Sequence, residues 1–260
     1  LRAVVCNDLF FSQPYTAVNE GKIALTKTAA PLTEIRMTID LDRPDNAPPS
    51  SDSEQEEKKP APPLLEAVFV TGAAQWSQLP TTGPIELAFA GRSNAGKSSA
   101  INALARRSKL AFASRTPGRT QQINFFQMRN GAYVVDLPGY GYAAVTRKTK
   151  DVWQDFLWRY VTERQTLVAL VLVADIRRGL TDLDKPVLDA FLRSGRPVLI
   201  LATKSDKLNV QERRRALAEM ERSLLEYDVE GTASVTVVEF SATAHRGIEA
   251  ADKVIAEWIA

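Results

Sequence analysis

From Leu64 onward, short apolar runs alternate with longer stretches in which apolar residues recur every three or four positions. The runs are "AVFVT" (67–71), "IELAFA" (85–90), "QINFFQM" (122–128), "AYVVDL" (132–137), "LVALVLVAD" (167–175), "PVLILAT" (197–203) and "VTVVEFSA" (235–242). Several are apolar at consecutive positions, the pattern of a strand covered on both faces. Stretches near 97–107, 147–163, 182–194, 210–227 and 247–259 read as helices. Trp153, Phe156, Leu157 and Tyr160 share one face of the second, and Ile248, Val254, Ile255 and Trp258 one face of the last, as core stripes do. "RNG" between 128 and 132 is a hairpin signal, so one strand of a mostly parallel sheet should run antiparallel. The expected fold is a three-layer α/β domain with helices on both faces of the sheet.

Before Leu64 the pattern is lost. Residues 1–40 show no clear period and no motif, and are expected to be an N-terminal extension. Residues 41–63, "LDRPDNAPPSSDSEQEEKKPAPP", are rich in Pro, Ser and Glu and too poor in apolar groups to offset ordering entropy. They are expected to form a disordered linker, leaving 64–260 as the folded domain. The first methionine is Met37, which suggests that residues 1–36 lie upstream of the native start.

Composition adds limits. A single cysteine, Cys6, forbids an intramolecular disulfide and suits a reducing compartment. The longest apolar run, "LVALVLVA" (167–174), is strand-sized and far below the roughly 20 residues of a bilayer span. No signal-peptide pattern opens the chain, so a cytoplasmic location without membrane association is expected. The net charge of +2 divides into −3 for residues 1–63 and +5 for the remainder, which permits a polyanionic partner without requiring one.

The candidate chemistry starts at "GRSNAGKS" (91–98), which fits G-x-x-x-x-G-K-[ST] between a strand and a helix. Glycines let the backbone close around a phosphate chain, and the helix directs its positive dipole end at the same anion. Lys97 would reach the β- and γ-phosphates, and the Ser98 hydroxyl would ligate Mg²⁺. The four fixed positions match by accident in about 1% of chains this long, and the strand–loop–helix context lowers that further. A phosphate-binding P-loop, and with it the P-loop NTPase fold, is the reading.

Three shorter elements follow in order. "VVDLPGYGY" (134–142) places D-x-x-G at a strand end, where Asp136 would hold Mg²⁺ through a water and the Gly139 amide could meet the γ-phosphate. "LATKSDKL" (201–208) contains T-K-x-D after an apolar strand. A carboxylate there can accept from the guanine N1–H and N2–H₂, whereas adenine would leave Asp206 desolvated and unpaired. Lys204 would lay its alkyl stem over the base plane. "FSATAHRG" (240–247) follows the last strand, where the Ser241–Ala242 backbone could meet the guanine O6. Each short element alone also reads as a polar turn; their order argues for a guanine-nucleotide switch. The nucleotide site is therefore expected to comprise Gly91, Arg92, Ser93, Asn94, Ala95, Gly96, Lys97, Ser98 and Ser99; Asp136, Leu137, Pro138 and Gly139; Thr203, Lys204, Ser205, Asp206 and Lys207; and Phe240, Ser241 and Ala242.

"AFAGRSNAGKSSAIN", "SRTPGRTQQINFF", "VVDLPGYGYA", "LTDLD", "TKSDK" and "FSAT" together resemble the EngB (YihA/YsxC) family of translation-factor-like P-loop GTPases, over about residues 64–260. The resemblance implies that "TPGRT" lies in a first switch, adding Gly118, Arg119, Thr120, Gln121 and Gln122 to the GTP contacts. Thr120 would then be a second Mg²⁺ ligand and, with Lys97, a catalytic residue; Thr116 is the alternative. It further implies a monomeric GTP/GDP switch in large-ribosomal-subunit assembly, required for normal division and septation. Basic groups at 106–109, Arg115, Arg119, 147–150 and 213–215 are compatible with rRNA contact, although such clusters on helices are commonly solvated faces. A nucleotide-gated scaffold for division proteins, with incidental hydrolysis, is the alternative. An ATP-using P-loop kinase is disfavoured by "TKSDK".

Where many GTPases carry a water-orienting glutamine after D-x-x-G, this chain has Tyr140, so slow intrinsic hydrolysis is expected. Segments 112–122 and 139–150, Gly-rich or polar, are the candidate switches. Asn94 sits where related GTPases use an asparagine to hold K⁺ against the phosphates; a turn residue tolerating left-handed backbone is the plainer reading. Asp175 ends a strand and reads as a cap ahead of a switch-adjacent carboxylate. His245, the one histidine, reads as a surface loop residue.

Overall fold

The computed structural model of the chain describes residues 35–38, 62–81, 85–111, 122–141, 147–225 and 234–259, with only the backbone element given for 35–38 and 147–154. Eight strands form one sheet: β1 (Ile35–Thr38), β2 (Val68–Ala73), β3 (Glu86–Gly91), β4 (Ile123–Gln127), β5 (Tyr133–Asp136), β6 (Leu167–Asp175), β7 (Val198–Thr203) and β8 (Val235–Glu239). Their order across the sheet is β1-β8-β7-β6-β3-β5-β4-β2. β4 pairs antiparallel with both neighbours and every other pairing is parallel, so it is the one reversed strand.

Side-chain alternation along the central strands assigns the helices to faces. Ala88, Ala90, Leu170, Leu172 and Ala174 point to one side, where they pack with Tyr160 of α2 (Arg147–Glu163), Phe191 of α3 (Lys185–Arg193) and Met220 of α4 (Val210–Leu225). Leu87, Phe89, Val171, Val173 and Leu201 point to the other, against Ile101 of α1 (Lys97–Leu104) and Ile255 of α5 (Ile248–Ile259). This is the three-layer arrangement the apolar runs predict. Phe156, Leu157, Tyr160, Ile248, Val254, Ile255 and Trp258 join the two cores as expected; the Trp153 side chain lies outside the described residues. No helix among the described residues is long and apolar enough to cross a membrane.

Several boundaries differ from the sequence reading for local reasons. α1 stops at Leu104 rather than 107 because Arg106 turns left-handed (φ 53°) and its amide returns to the Ala103 carbonyl at 3.1 Å. β8 stops at Glu239 because Ser241 leaves the ladder to exchange both backbone hydrogen bonds with Arg246 at 3.0 Å. α3 begins at Lys185, after the Asp184 carboxylate has accepted the Thr181 amide (2.8 Å) and hydroxyl (2.7 Å).

One element was missed. Within 1–40, read as a patternless extension, Ile35–Thr38 adds parallel to β8 in the register Ile35↔Val235 to Thr38↔Val238. Four residues are too few to show a period, and the open backbone edge of β8 supplies the pairing. The proposed linker lies outside the described residues except for 62 and 63.

Registers place the C-terminal ends of five adjacent strands along one edge. Gly91 pairs with Val173, Phe89 with Asp136, Asp175 with Thr203, and Ala202 with Glu239. In open α/β sheets that edge is where ligands bind.

Candidate functional site

The loop after β3 turns through left-handed backbone at Asn94 (φ 65°) and Gly96 (φ 106°) before α1 begins at Lys97. The Ala95 amide closes the turn on the Arg92 carbonyl at 3.0 Å, and the first helical bond runs from Ala100 N to Gly96 O at 2.9 Å. Asn94 is exposed at this turn, in the left-handed backbone its amide side chain tolerates. The Lys97 ammonium meets Asp136 Oδ1, with both side chains largely buried. Ser98 follows in the first helical turn, so a hydroxyl-bearing residue comes next after the ion-paired lysine at the positive end of α1.

D-x-x-G is held on the same loop. Leu137 N donates to Phe89 O at 3.0 Å, and Ser93 N donates to Tyr140 O at 2.9 Å. A Cβ on Gly139 would stand 3.1 Å from both the amide nitrogen and the Cα of Ser93, so only glycine fits here without pushing the two loops apart. The Tyr140 hydroxyl donates to Asp184 Oδ1 at 2.5 Å, toward the start of α3.

The base-side elements meet the P-loop from β7. The Thr203 hydroxyl lies 2.6 Å from Ala95 O and 3.0 Å from Ala174 O. Lys204, left-handed at φ 60°, donates from Nζ to Asn94 O at 2.6 Å and stands 3.0 Å from Asp175 Oδ2. Asp206 Oδ1 accepts from the Ser241 hydroxyl at 2.7 Å, and Lys207 Nζ is 3.0 Å from Oδ2. The Ser241 hydrogen bond, opposed by some burial, holds the Asp206 carboxyl below its ordinary value, so it stays an acceptor-only anion. Ser241 Oγ also accepts the Ala244 amide at 3.0 Å, and Ser205 N donates to Phe240 O at 3.2 Å. The last two elements are thereby one unit, with Ser241 orienting the carboxylate that the sequence reading assigned to the base.

The structure thus brings together the predicted P-loop, Asp136 to Gly139, Thr203 to Lys207, and Phe240 to Ala242. Thr116, Gly118, Arg119, Thr120 and Gln121 lie outside the described residues, as does the second candidate switch from 142 to 146. Gln122 is exposed, its amide oxygen beside Gly72 of β2. His245 is an exposed loop residue, as expected. No group of three or more His, Cys, Asp or Glu among the described residues could hold a metal by itself. The hard oxygens of Ser98 and Asp136 nonetheless suit Mg²⁺, which takes few protein ligands and keeps several waters.

The comparisons decide the family. Residues 86–204 match the model of the 50S ribosome-binding GTPase family. The chain is 47% identical over 206 residues to "Probable GTP-binding protein EngB" of Polynucleobacter asymbioticus (strain DSM 18221 / CIP 109841 / QLW-P1DMWA-1), covering 75% of this chain and 93% of the relative. The chain belongs to the EngB family of GTP-binding proteins. The EngB protein of Neisseria meningitidis serogroup B (strain ATCC BAA-335 / MC58) is 45% identical over 193 residues, covering 74% of this chain and 91% of its own length. A crystal structure of a probable GTP-binding protein EngB superposes with a TM-score of 0.51 at 26% identity, covering 67% of this chain and 98% of that one. The fold is also that of Era from Aquifex aeolicus, solved bound to GDP·AlF₄⁻, with a TM-score of 0.50 at 17% identity over 69% of this chain and 58% of that one. As an EngB-family chain the protein is a P-loop GTPase.

Three side chains of this EngB-type site make contacts that the sequence reading does not assign to them. Asp175, read chiefly as a cap, does accept the Arg177 amide at 3.1 Å, but also ion-pairs with Arg177 and Lys204. Asp184 anchors Tyr140. Glu239, buried at the end of β8, is 3.1 Å from Arg213 and 3.2 Å from Arg246, tying α4 to the loop behind Ser241. Asp175 and Glu239 lie in or beside an apolar run, a pattern that serves caps equally well, and Asp184 belongs to the "LTDLD" that carries the resemblance without assigning it a contact.

Proposed function

We propose that the chain is a Mg²⁺-dependent guanine-nucleotide switch with slow intrinsic GTP hydrolysis. Its output would be a step in large-ribosomal-subunit assembly needed for normal division and septation, performed by a cytoplasmic monomer. The observation that carries the guanine reading is Asp206: a carboxylate oriented by the Ser241 hydroxyl, two residues after Lys204, whose ammonium donates to Asn94 O on the loop that would hold the phosphates. The names of the relatives, GTP-binding, and of the family, 50S ribosome-binding, support the substrate and the partner respectively.

Ser98, Thr120 and, through a water, Asp136 would hold the metal, which when bound supplies charge neutralisation at the phosphate oxygens. Lys97 binds the β- and γ-phosphates and offsets the negative charge that develops on them. Tyr140 spends its hydroxyl on Asp184, which supports slow intrinsic turnover. Asn94 is the candidate K⁺ contact; hydrolysis should run faster in K⁺ than in Na⁺, and equal single-turnover rates in the two salts would remove that role.

Asp206→Asn is the direct test of base recognition. The amide presents a donor where guanine also donates, whereas xanthine offers an acceptor carbonyl at C2. GDP affinity should fall by about a hundredfold or more and xanthosine diphosphate affinity should rise. Unchanged GDP affinity in titration calorimetry would refute the assignment.

A further inference from the structure

Lys204 reaches its position by an arrangement that T-K-x-D alone does not specify. Its residue adopts left-handed backbone, its side chain is about one-third exposed, and its ammonium makes two contacts on different elements, Asn94 O on the P-loop and Asp175 Oδ2 at the end of β6. Asp175 is itself firmly held. It is 6% exposed, and Arg177 grips it in a fork, Nε to Oδ1 at 2.9 Å and Nη2 to Oδ2 at 2.7 Å, with the Arg177 amide adding a third bond at 3.1 Å. Strand pairing places Asp175 beside Thr203, the residue before Lys204. A cap would need only the amide bond; here the second carboxylate oxygen is shared between Arg177 Nη2 at 2.7 Å and the lysine at 3.0 Å.

We propose that Asp175 is a positioning residue of the base pocket, fixing the Lys204 ammonium over the Asn94 carbonyl so that the lysine's alkyl stem stands as a preformed wall for the purine. The proposal rests on the guanine-site reading above and extends it to a residue outside its motifs. A long, flexible side chain ordered before the ligand arrives does not have to be ordered by it, and the saving appears as slower release. Asp175 can do this at any working pH. Burial pushes its carboxyl up, but the Arg177 and Lys204 hydrogen bonds outweigh it and bring the value down to about 2.

The test is a double-mutant cycle on release of a ribose-labelled fluorescent GDP from the full chain. Asp175→Asn and Lys204→Met should each speed release about tenfold, the scale of one charge-assisted hydrogen bond. Because both act through the same ammonium, the double variant should release no faster than the faster single one. Rates that multiply toward a hundredfold, or an Asp175→Asn rate equal to wild type, overturn the proposal. Calorimetry with inorganic tripolyphosphate, which has no base, separates positioning from general damage: Asp175→Asn should leave it unchanged, and an equal loss for tripolyphosphate and GDP overturns the proposal. Asp175→Ala, followed by thermal melting, checks that the loss does not depend on the residue introduced. Wild-type chain that binds no GDP would instead sink the guanine-site reading itself.

Discussion

On the inner face of α5, Asp252 is a carboxylate in two minds. Oδ2 lies 2.7 Å from Arg106 Nη2, while Oδ1 is buried with no hydrogen-bond partner among the described residues. Burial wins over the ion pair, Glu249 adds repulsion, and the carboxyl is raised to about 6. Because the folded value exceeds the unfolded one, the folded state binds the proton more tightly. The contribution to stability is fully present below about pH 4 and is lost as pH rises through about 6. Asp252→Asn removes that loss, leaving the variant more stable than the parent by on the order of 2 kcal/mol at pH 8 relative to pH 4. Thermal melts at pH 4, 6 and 8 check it; a gap between the two proteins that does not move with pH refutes it.

At the scale of elements, what was legible depended on whether the signal was local. The chain order of seven strands and five helices could be read because each carries its own period, and the reversed β4 because "RNG" reaches the next strand directly, with Gly131 at φ 89°. The P-loop was legible for the same reason: its chemistry is main-chain amides and one lysine, specified by eight consecutive residues. Asp175 with Lys204 was not, because their meeting depends on the register of β6 against β7, which no spacing along the chain reveals. Asp252 was hidden differently, by sitting where the amphipathic pattern of α5 leaves room for a polar residue and the Arg106 turn then covers it. The β1 strand depends wholly on a neighbour, and the first-switch threonine was named through family resemblance alone.

Over the whole molecule, the sheet separates recognition from stability. Gly91, Asp136, Asp175 and Thr203 stand at the C-terminal strand ends, while Glu86, at the other end of β3 about 17 Å away by strand rise, is fully buried at the centre of a different network. Glu86 accepts from Tyr160 at 2.5 Å, from Thr166 at 2.8 Å and from Arg164 Nε at 3.0 Å, with Arg164 Nη2 also in contact. Arg164 in turn donates to Pro80 O at 2.7 Å, so one carboxylate joins β3, α2, the turn before β6 and the segment before β3. Burial first, and then the Glu86 charge, raises the Tyr160 phenol well above its ordinary value, which keeps it a hydrogen-bond donor. Glu86→Ala would leave the guanidinium and the phenol without their acceptor, at a cost of about 3–5 kcal/mol. That is a large part of the stability of a domain this size, and should lower the melting temperature by roughly 10 °C. GDP affinity, measured where the variant is still folded, should stay within about twofold of wild type, since release of one charged network need not propagate along a strand packed on both faces. Glu86→Gln, which keeps the shape and loses the charge, should fall between. A loss of GDP affinity in step with the loss of melting temperature would mean instead that the two ends of the sheet are energetically one.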